Sequence, residues 1–253
     1  MQIAHYTPIH RLKAYSLAWK YIDLIYPPRC IVCGKIGFRC CPQCWEKRKL
    51  YSSGICEQCG RPITTTGLCG QCKTEPSPLV KIRSLGEYTG VLQVFITAVK
   101  YERNIGLAEL ILPDLFHIYN LAHYQIDMVV PVPLSKKRER ERGYNQVAVW
   151  GRLFALQINH EFIPAALQRI HDTRSQVSLS SEQRWENVRD AFSANAPQVR
   201  GKNVLLLDDV ITTGATLYEC TKAILQKGAQ SVSALTIARS SIKNTKTKGG
   251  SYV

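Results

Sequence analysis

The sequence predicts an α/β protein, in which a parallel sheet flanked by helices follows an N-terminal cysteine-rich module. Two observations support this prediction. Nine of the ten cysteines lie between Cys30 and Cys72, in a segment that is poor in leucine, isoleucine and valine. From Ile82 onward, strand-like and helix-like segments alternate along the chain, which is the order typical of parallel sheets with helices on their faces.

The composition excludes a wholly disordered chain and indicates anionic partners. Of the 253 residues, 45% are hydrophobic, which is enough for a substantial core. Lysine and arginine number 33 against 19 acidic residues, and the formal charge of +14 favours nucleic acid, phosphates or a membrane surface as partners. The first residues include no secretory leader and no apolar stretch of the ~20 residues that a bilayer span needs. We therefore expect a cytoplasmic protein with no membrane span and with reduced cysteines.

Residues 1–28 are predicted to form an N-terminal helix. Apolar side chains recur there at near-helical spacing, at Leu12, Tyr15, Trp19, Ile22 and Tyr26. Pro27 and Pro28 end this run. We expect the helix to pack on the rest of the protein. A basic amphipathic membrane anchor is the alternative, which Asp23 and the short length of the run disfavour.

Residues 29–74 contain four Cys-x-x-Cys pairs and are predicted to bind metal. Each such pair wraps a tight turn whose backbone amides point at the thiolates, and two turns complete a tetrahedral site. The simplest assignment is two sequential sites, the first made of Cys30, Cys33, Cys41 and Cys44 and the second of Cys56, Cys59, Cys69 and Cys72. An interleaved pairing of the same turns remains open.

Two structural Zn²⁺ ions are the expected occupants, because a segment with so few large apolar residues needs a staple in order to fold. Iron in the same sites and redox-active dithiols are the alternatives. Cys40 has no partner at the right spacing and is left outside the sites, whereas Cys220 is expected to be a small buried residue of a helix. The basic residues of the module, such as Lys47 and Arg48, either contact phosphates or are ordinary surface charge.

Residues 79–240 are predicted to form the α/β domain. Strands are expected at Ile82–Tyr88, Asp127–Leu134, Asn203–Asp209 and Ser231–Ala238. Helices are expected at Gly90–Tyr101, Leu107–His123, Tyr144–Gln157 and Ala215–Lys227. The nearly continuous apolar run in the third strand is typical of a strand that is buried on both faces. Residues 241–253 are polar and basic and are expected to form a mobile tail.

The most informative stretch is Val204–Thr216, with the sequence VLLLDDVITTGAT. Its strand carries Asp208 and Asp209 to the carboxyl end of the sheet, where open α/β sheets bind ligands. The loop that follows opens a helix and offers hydroxyls, backbone amides and a helix N-terminus to a phosphate, and Gly214 lets the backbone come close. Carboxylates beside such a loop would repel a bare anion. The expected ligand therefore also presents sugar hydroxyls or a divalent cation, as a ribose 5-phosphate does.

Two other phosphate-binding motifs are absent from the sequence. A Walker B strand would need a GxxxxGK[ST] partner, and a dinucleotide-binding fold would need GxGxxG after a strand. The thirteen residues of Val204–Thr216 instead resemble the signature of the type I phosphoribosyltransferases, which bind phosphoribosyl pyrophosphate (PRPP) with Mg²⁺. The resemblance implies that Asp208 and Asp209 are the catalytic pair that holds the ribose hydroxyls. It also implies a 5-phosphate site made of Thr212, Thr213, Gly214, Ala215 and Thr216.

Residues 129–146 (VVPVPLSKKRERERGYNQ) and 173–192 (TRSQVSLSSEQRWENVRDAF) resemble the ComF/GntX group of competence-related proteins. That group also carries an N-terminal Cys-x-x-Cys array and a Lys-Tyr pair, here Lys100-Tyr101. The resemblance implies a double zinc ribbon joined to a type I phosphoribosyltransferase-like domain, with a role in DNA uptake or in the use of imported DNA. By its position, part of residues 173–189 would close over PRPP. Candidate contacts to pyrophosphate or to a DNA backbone are Ser135, Lys100, Arg142 and Arg184.

Two functions therefore compete. The first is a PRPP-dependent phosphoribosyltransferase, a glycosyltransferase whose acceptor the sequence does not specify. The second is a non-catalytic accessory protein that binds single-stranded DNA through its zinc ribbons and basic face, with the fold as a scaffold. The partners implied are PRPP, single-stranded DNA and DNA-uptake or helicase proteins. A steep fall of DNA affinity with salt would favour the second function.

Overall fold

Five parallel strands form one sheet in this computed structural model, which describes residues 8–51, 54–171 and 181–240. The described strands are β1 (Ile82–Glu87), β2 (Met128–Pro131), β3 (Glu161–Phe162), β4 (Leu167–Arg169), β5 (Phe192–Ala194), β6 (Asn203–Ile211) and β7 (Ser231–Arg239). The sheet order is β1-β7-β6-β2-β3, and β4 and β5 pair separately as an antiparallel ribbon. The predicted tail at 241–253 and the segment at 173–180 lie outside the described residues.

The described α-helices surround this sheet or lie in the cysteine-rich segment. They are α1 (Pro8–Ile25), α2 (Pro42–Trp45), α3 (Gly70–Thr74), α4 (Gly90–Tyr101), α5 (Leu112–Ala122), α6 (Lys136–Arg142), α7 (Gln146–Gln157), α8 (Ser181–Val188), α9 (Ala196–Val199) and α10 (Ala215–Gln226). Short 3-10 helices cover Ile105–Ile111 and Pro164–Ala166. The predicted fold class, a parallel sheet flanked by helices, is confirmed.

The apolar run of β6 is buried on both faces, as its sequence predicts. Leu205 and Leu207 pack into the core on one face with Phe95, and Leu206 packs into the core on the other face with Ile224. Because successive side chains of a strand point to opposite faces, only a run without polar residues suits this central position. The strand is two residues longer than predicted and ends at Ile211.

The predicted helix Leu107–His123 is divided in two. Ile105–Ile111 is a 3-10 helix, and α5 follows it directly, with Pro113 in the first turn. Proline has no N–H to donate back along the helix, so the α-helical hydrogen bonds cannot run through this point. The whole stretch Ile105–Ala122, with mean hydropathy 1.2, is long and apolar enough to cross a membrane by length and composition alone. Leu107 and other large side chains of the stretch are nevertheless buried in the core, so we assign it there.

Other element limits follow from prolines and caps. The predicted strand Asp127–Leu134 shortens to β2, since Pro131 and Pro133 lack the N–H groups that a ladder needs. The helix predicted from Tyr144 begins at Gln146, because the Asn145 side chain accepts from the Val147 N–H at 2.9 Å and caps α7. The short strands β3, β4 and β5 and the helix α6 were not predicted.

The cysteine-rich segment packs directly on the sheet. Leu50 and Gly86 form an antiparallel bridge, and a Cβ atom at Gly86 would overlap the Lys49 carbonyl oxygen. Farther along, the Ile82 N–H donates to the Gln58 carbonyl at 2.7 Å. Glycine at position 86 thus permits the close approach of the two segments.

The N-terminal helix contacts the α/β core through Tyr15, whereas Ile22 and Tyr26, which the spacing placed on the same apolar face, are exposed. The Tyr15 hydroxyl donates to the Ile105 carbonyl at 3.2 Å. The Arg39 guanidinium lies 4.3 Å from the centre of the Trp19 ring and pairs with Asp23. The loop between Cys33 and Cys41 therefore also contacts α1.

Candidate functional site

The described cysteines form two sequential clusters, which settles the register that spacing left open. Cys30, Cys33, Cys41 and Cys44 form the first, and Cys56, Cys59, Cys69 and Cys72 form the second, with the Sγ atoms of each within 4.8 Å of one another. The Sγ atoms of Cys33 and Cys41 are 3.7 Å apart, as are those of Cys59 and Cys69. A tetrahedral zinc site with Zn–S bonds of about 2.3 Å has an edge of about 3.8 Å, so the donor set fits Zn²⁺.

Backbone amides point at the thiolates, as in the turns that zinc ribbons use. The Cys41 N–H donates to the Cys30 Sγ at 3.4 Å, and the Cys69 N–H donates to the Cys56 Sγ at 3.3 Å. Burial opposes ionisation of Cys30 and Cys56, but the amide donors outweigh it and lower each pKa to about 6. These amide donors therefore stabilise one thiolate in each cluster. A bound cation would stabilise all four cysteines of a cluster as thiolates.

Cys40 stands apart from this set, as predicted. Its side chain is buried, and burial, followed by the nearby Cys30 thiolate, raises its pKa to about 12. Cys220 is fully buried in α10 and behaves as a small apolar residue.

The acid pair lies at the topological switch point of the sheet. Strands β2 and β6 are neighbours, and the chain moves outward from them in opposite directions, to β3 on one side and to β7 on the other. Open α/β sheets bind ligands at such a crevice, beyond the carboxyl ends of the strands. Asp208 and Asp209 lie near the carboxyl end of β6, next to the end of β2 at Pro131.

A cavity of about 640 Å³ opens at this point. Most of the predicted site residues line it, namely Lys100, Arg142, Arg184, Asp208, Asp209, Thr212, Gly214, Ala215 and Thr216. Ser135 and Thr213 do not line it, and their hydroxyls instead accept from backbone N–H groups at the starts of helices. The Ser135 hydroxyl accepts from the Arg138 N–H at 3.3 Å at the start of α6, and the Thr213 hydroxyl accepts from the Ala215 N–H at 3.3 Å at the start of α10.

Gly214 shapes the loop between β6 and α10. Its φ of +90° lies in the left-handed region, which a residue with a Cβ atom adopts at a cost. The N-terminal amides of α10, from Ala215 and Thr216 onward, follow at once, and both residues line the cavity. The loop therefore directs a helix N-terminus at the cavity, which favours an anion.

Asp209 is held by two side chains from different helices. The Lys100 Nζ atom lies 2.9 Å from its Oδ2 atom, and the Gln146 Nε2 atom donates to the same oxygen at 2.6 Å. Arg142 in turn donates to the Gln146 Oε1 atom at 2.8 Å. Two of the predicted anion contacts, Lys100 and Arg142, thus belong to one network around an acid.

The two neighbouring acids have pKa values that diverge. Burial, followed by the charge of Asp209, raises the pKa of Asp208 to about 7. Burial also favours a raised pKa at Asp209, but the Lys100 ammonium and the Gln146 amide outweigh the effect of burial, and the pKa of Asp209 is lowered. Near neutral pH the two carboxyl groups together therefore carry between one and two negative charges.

Replacing Asp208 with Asn should stabilise the ligand-free protein at high pH. The native pKa of about 7 lies above the ordinary value of about 3.9, so between these values the native protein binds the extra proton and loses stability as pH rises. An uncharged amide at this position would remove that loss. Thermal unfolding should show a gain of a few degrees at pH 8 that shrinks at pH 5. An equal gain at both pH values would contradict the assignment.

Sequence reasoning missed Arg103 and Arg169, which both line the cavity. Arg169 lies in β4, part of the ribbon that was too short to predict, and its charge acts on Asp208. Arg103 follows α4 with a φ of +54°, and no local signal distinguishes it from other exposed basic residues.

Family models match the chain in two places. A double zinc ribbon domain matches residues 21–73, and a phosphoribosyl transferase domain matches residues 156–250. With the four-cysteine clusters and the parallel sheet, these matches define a phosphoribosyltransferase-like protein with an N-terminal double zinc ribbon that holds structural zinc.

Relatives among known proteins identify the family. The DNA utilization protein YhgH of Escherichia coli K12 is 30% identical over 191 residues, which cover 73% of this chain and 84% of that protein. The competence protein ComFC of Bacillus subtilis 168 is 26% identical over 233 residues, covering 89% of this chain and 90% of that one. The chain belongs to the ComF family.

Adenine phosphoribosyltransferase from Saccharomyces cerevisiae is among the similar solved structures. It is 20% identical with a TM-score of 0.34, and the match covers 55% of this chain and 72% of that one. The fold class rests on the sheet order and on the family models.

Proposed function

We propose that this protein binds PRPP, with Mg²⁺, in the cavity at the end of β6. The observation that carries the proposal is the pairing of two adjacent carboxylates with a helix N-terminus at one switch point. Asp208 and Asp209 accept hydrogen bonds from the ribose hydroxyls. The loop binds the 5-phosphate through the residues that line the cavity, which are Thr212, Gly214, Ala215 and Thr216.

The arginine side chains that line the cavity suit a pyrophosphate group. Arg142, Arg184 and Arg103 line it, and among the described residues the buried Arg184 Nε atom has no hydrogen-bond partner. Mg²⁺, when bound with PRPP, would neutralise part of the pyrophosphate charge. Bidentate guanidinium groups recognise the remaining phosphate oxygens.

The reaction that we propose is displacement of pyrophosphate at C1 of the ribose. The bond from C1 to the pyrophosphate oxygen breaks with its electron pair, and an acceptor nucleophile forms a new bond to C1 through an oxocarbenium-like state. The acids fix the sugar, and the arginine side chains stabilise the charge that develops on the leaving group.

We further propose that this chemistry serves the use of DNA in the cytoplasm. The similar proteins are named for DNA utilization and competence. Helix α6 lies at the rim of the same cavity, has no buried residue, and carries the sequence KKRERER. Such a basic surface suits the backbone of single-stranded DNA, handed on by a DNA-uptake or helicase protein. The alternative is that DNA binding is the whole function.

Thermal unfolding with PRPP and Mg²⁺ tests the proposal, with Gly214→Ala and Gly201→Ala as matched variants. Both glycines have positive φ, but Gly201 lies outside the cavity and a Cβ atom there would meet nothing within 4 Å. We expect PRPP to raise the Tm of the wild type and of Gly201→Ala and to act about tenfold more weakly on Gly214→Ala, because the strained loop no longer fits the phosphate.

The contrary result is a folded wild type whose Tm does not respond to PRPP. If that protein binds single-stranded DNA with an affinity that falls steeply with salt, the DNA-binding function replaces the transferase.

A further inference from the structure

The oxygens of the acid pair are used unequally. Both donors to Asp209, the Lys100 ammonium and the Gln146 amide, contact Oδ2. The Asp209 N–H donates to Oδ1 of Asp208 at 2.8 Å. Among the residues that the structure describes, no donor contacts the second oxygen of either acid. One oxygen of each carboxylate is therefore left for a ligand in the cavity.

The donors to Asp209 are themselves fixed. Lys100 lies on α4 with its side chain 17% exposed, and Gln146 lies on α7 and is 3% exposed. The Arg142 guanidinium donates to the Gln146 carbonyl oxygen and so orients the amide with its N–H toward Asp209. Arg142 is in turn held over the Tyr101 ring, 5.0 Å from its centre. Side chains on three helices thus determine one carboxylate rotamer.

We propose that Lys100 and Gln146 are positioning residues for ribose recognition, which clamp Asp209 so that its free oxygen and that of Asp208 together meet two adjacent hydroxyls. This inference rests on the proposed function. It differs from the sequence interpretation in one respect: Lys100 acts through Asp209 and does not bind pyrophosphate. A mostly buried lysine that is already paired with a carboxylate at 2.9 Å is a poor direct contact for a second anion.

The charges around Asp209 come from every element packed on it. Lys100 on α4 and Arg142 on α6 lower its pKa, while Asp208 on the same strand carries a like charge. Arg169 on β4 acts on Asp208. Without Lys100, the Gln146 amide and the charge of Arg142 would oppose the burial of Asp209 less completely, so the acid should take up a proton at a higher pH.

Lys100→Met separates the two roles of the lysine. Titrations at pH 6 and pH 8 measure the affinity for PRPP with Mg²⁺ and, separately, for pyrophosphate with Mg²⁺. We expect the variant to bind PRPP at least tenfold more weakly than the wild type at pH 6. At pH 8 the loss of PRPP affinity should be smaller, and pyrophosphate should bind as it does to the wild type. Lys100→Arg should restore most of the affinity. Lys222→Met is the matched control, because Lys222 pairs with Asp190 at 2.8 Å on the surface of α10.

An equal loss for PRPP and pyrophosphate at both pH values would overturn the inference and make Lys100 a direct contact. A second measurement stands without PRPP. At pH 8, Lys100→Met should lower the Tm, and adding Asp209→Asn should restore it, whereas Lys222→Met with Asp190→Asn should show no such coupling. If the wild type does not bind PRPP, the proposed function fails, and the coupling still decides whether Lys100 holds Asp209. Additive effects of Lys100→Met and Asp209→Asn would contradict the clamp.

Discussion

Removing the two metal ions should unfold the cysteine-rich segment and leave the parallel sheet folded. The buried part of the second cluster consists of Cys56, Cys69 and Cys72, with Ile63 and Leu68 only partly buried beside them. Such a small apolar cluster cannot hold a fold, whereas a structural zinc ion contributes about 10–16 kcal/mol. Limited proteolysis after chelation should show new cuts within residues 29–74 and leave residues 79–240 intact.

Single substitutions should remove the ions separately. The protein should carry two zinc ions, and Cys44→Ser and Cys69→Ser should each retain one, since each removes one ligand of one cluster. Cys40→Ser is the matched control and should retain both. Elemental analysis measures the metal content. A Cys44→Ser variant with two ions, or a Cys40→Ser variant with one, would contradict the assignment.

Loss of the second ion should destabilise the sheet more than loss of the first. Arg239, at the end of β7, is 5% exposed and donates to the Cys59 carbonyl. If the second cluster unfolds, this guanidinium loses its acceptor, and Ile82 and Arg83 of β1 lose their hydrogen bonds to residues 56–58. The Tm of Cys69→Ser should therefore fall below that of Cys44→Ser.

Replacing both Asp208 and Asp209 with Asn should abolish PRPP binding while leaving both zinc ions in place. Each hydrogen bond to a charged group contributes about 1.5–3 kcal/mol, so losing the charge of both acceptors should weaken binding by a factor of about 100 or more. The matched control replaces Asp127 and Asp190 with Asn, because both acids are exposed at the surface. That control should bind PRPP as the wild type does.

The features that could be predicted from the sequence are those encoded by neighbours in the chain. The Cys-x-x-Cys turns, the buried strand before Asp208 and the loop at Gly214 each lie within one short segment. The residues of α6 have no apolar face, so periodicity gave no helical signal. The residues that end α6 are nevertheless visible in the sequence. Ser135 caps its start, and Gly143 follows its last turn with a positive φ.

The network around Asp209 could not be predicted, because it depends on how distant helices pack. Lys100 and Gln146 are separated from Asp209 by 109 and 63 positions. Nothing local marks either side chain as a partner of an acid. The sequence assigned Lys100 to anion contacts through the Lys-Tyr resemblance and Arg142 through its position after the predicted strand, and in the structure Lys100 contacts Asp209 while Arg142 contacts Gln146.

Calorimetric titration of the zinc-loaded protein with PRPP and Mg²⁺, beside the Asp208→Asn, Asp209→Asn double variant, tests the central claim most directly. We expect saturable binding by the wild type, no binding by the double variant, and equal zinc content in both. Binding that survives in the double variant, or a folded wild type that releases no heat and shows no saturation, would contradict a phosphoribosyl site at the end of β6.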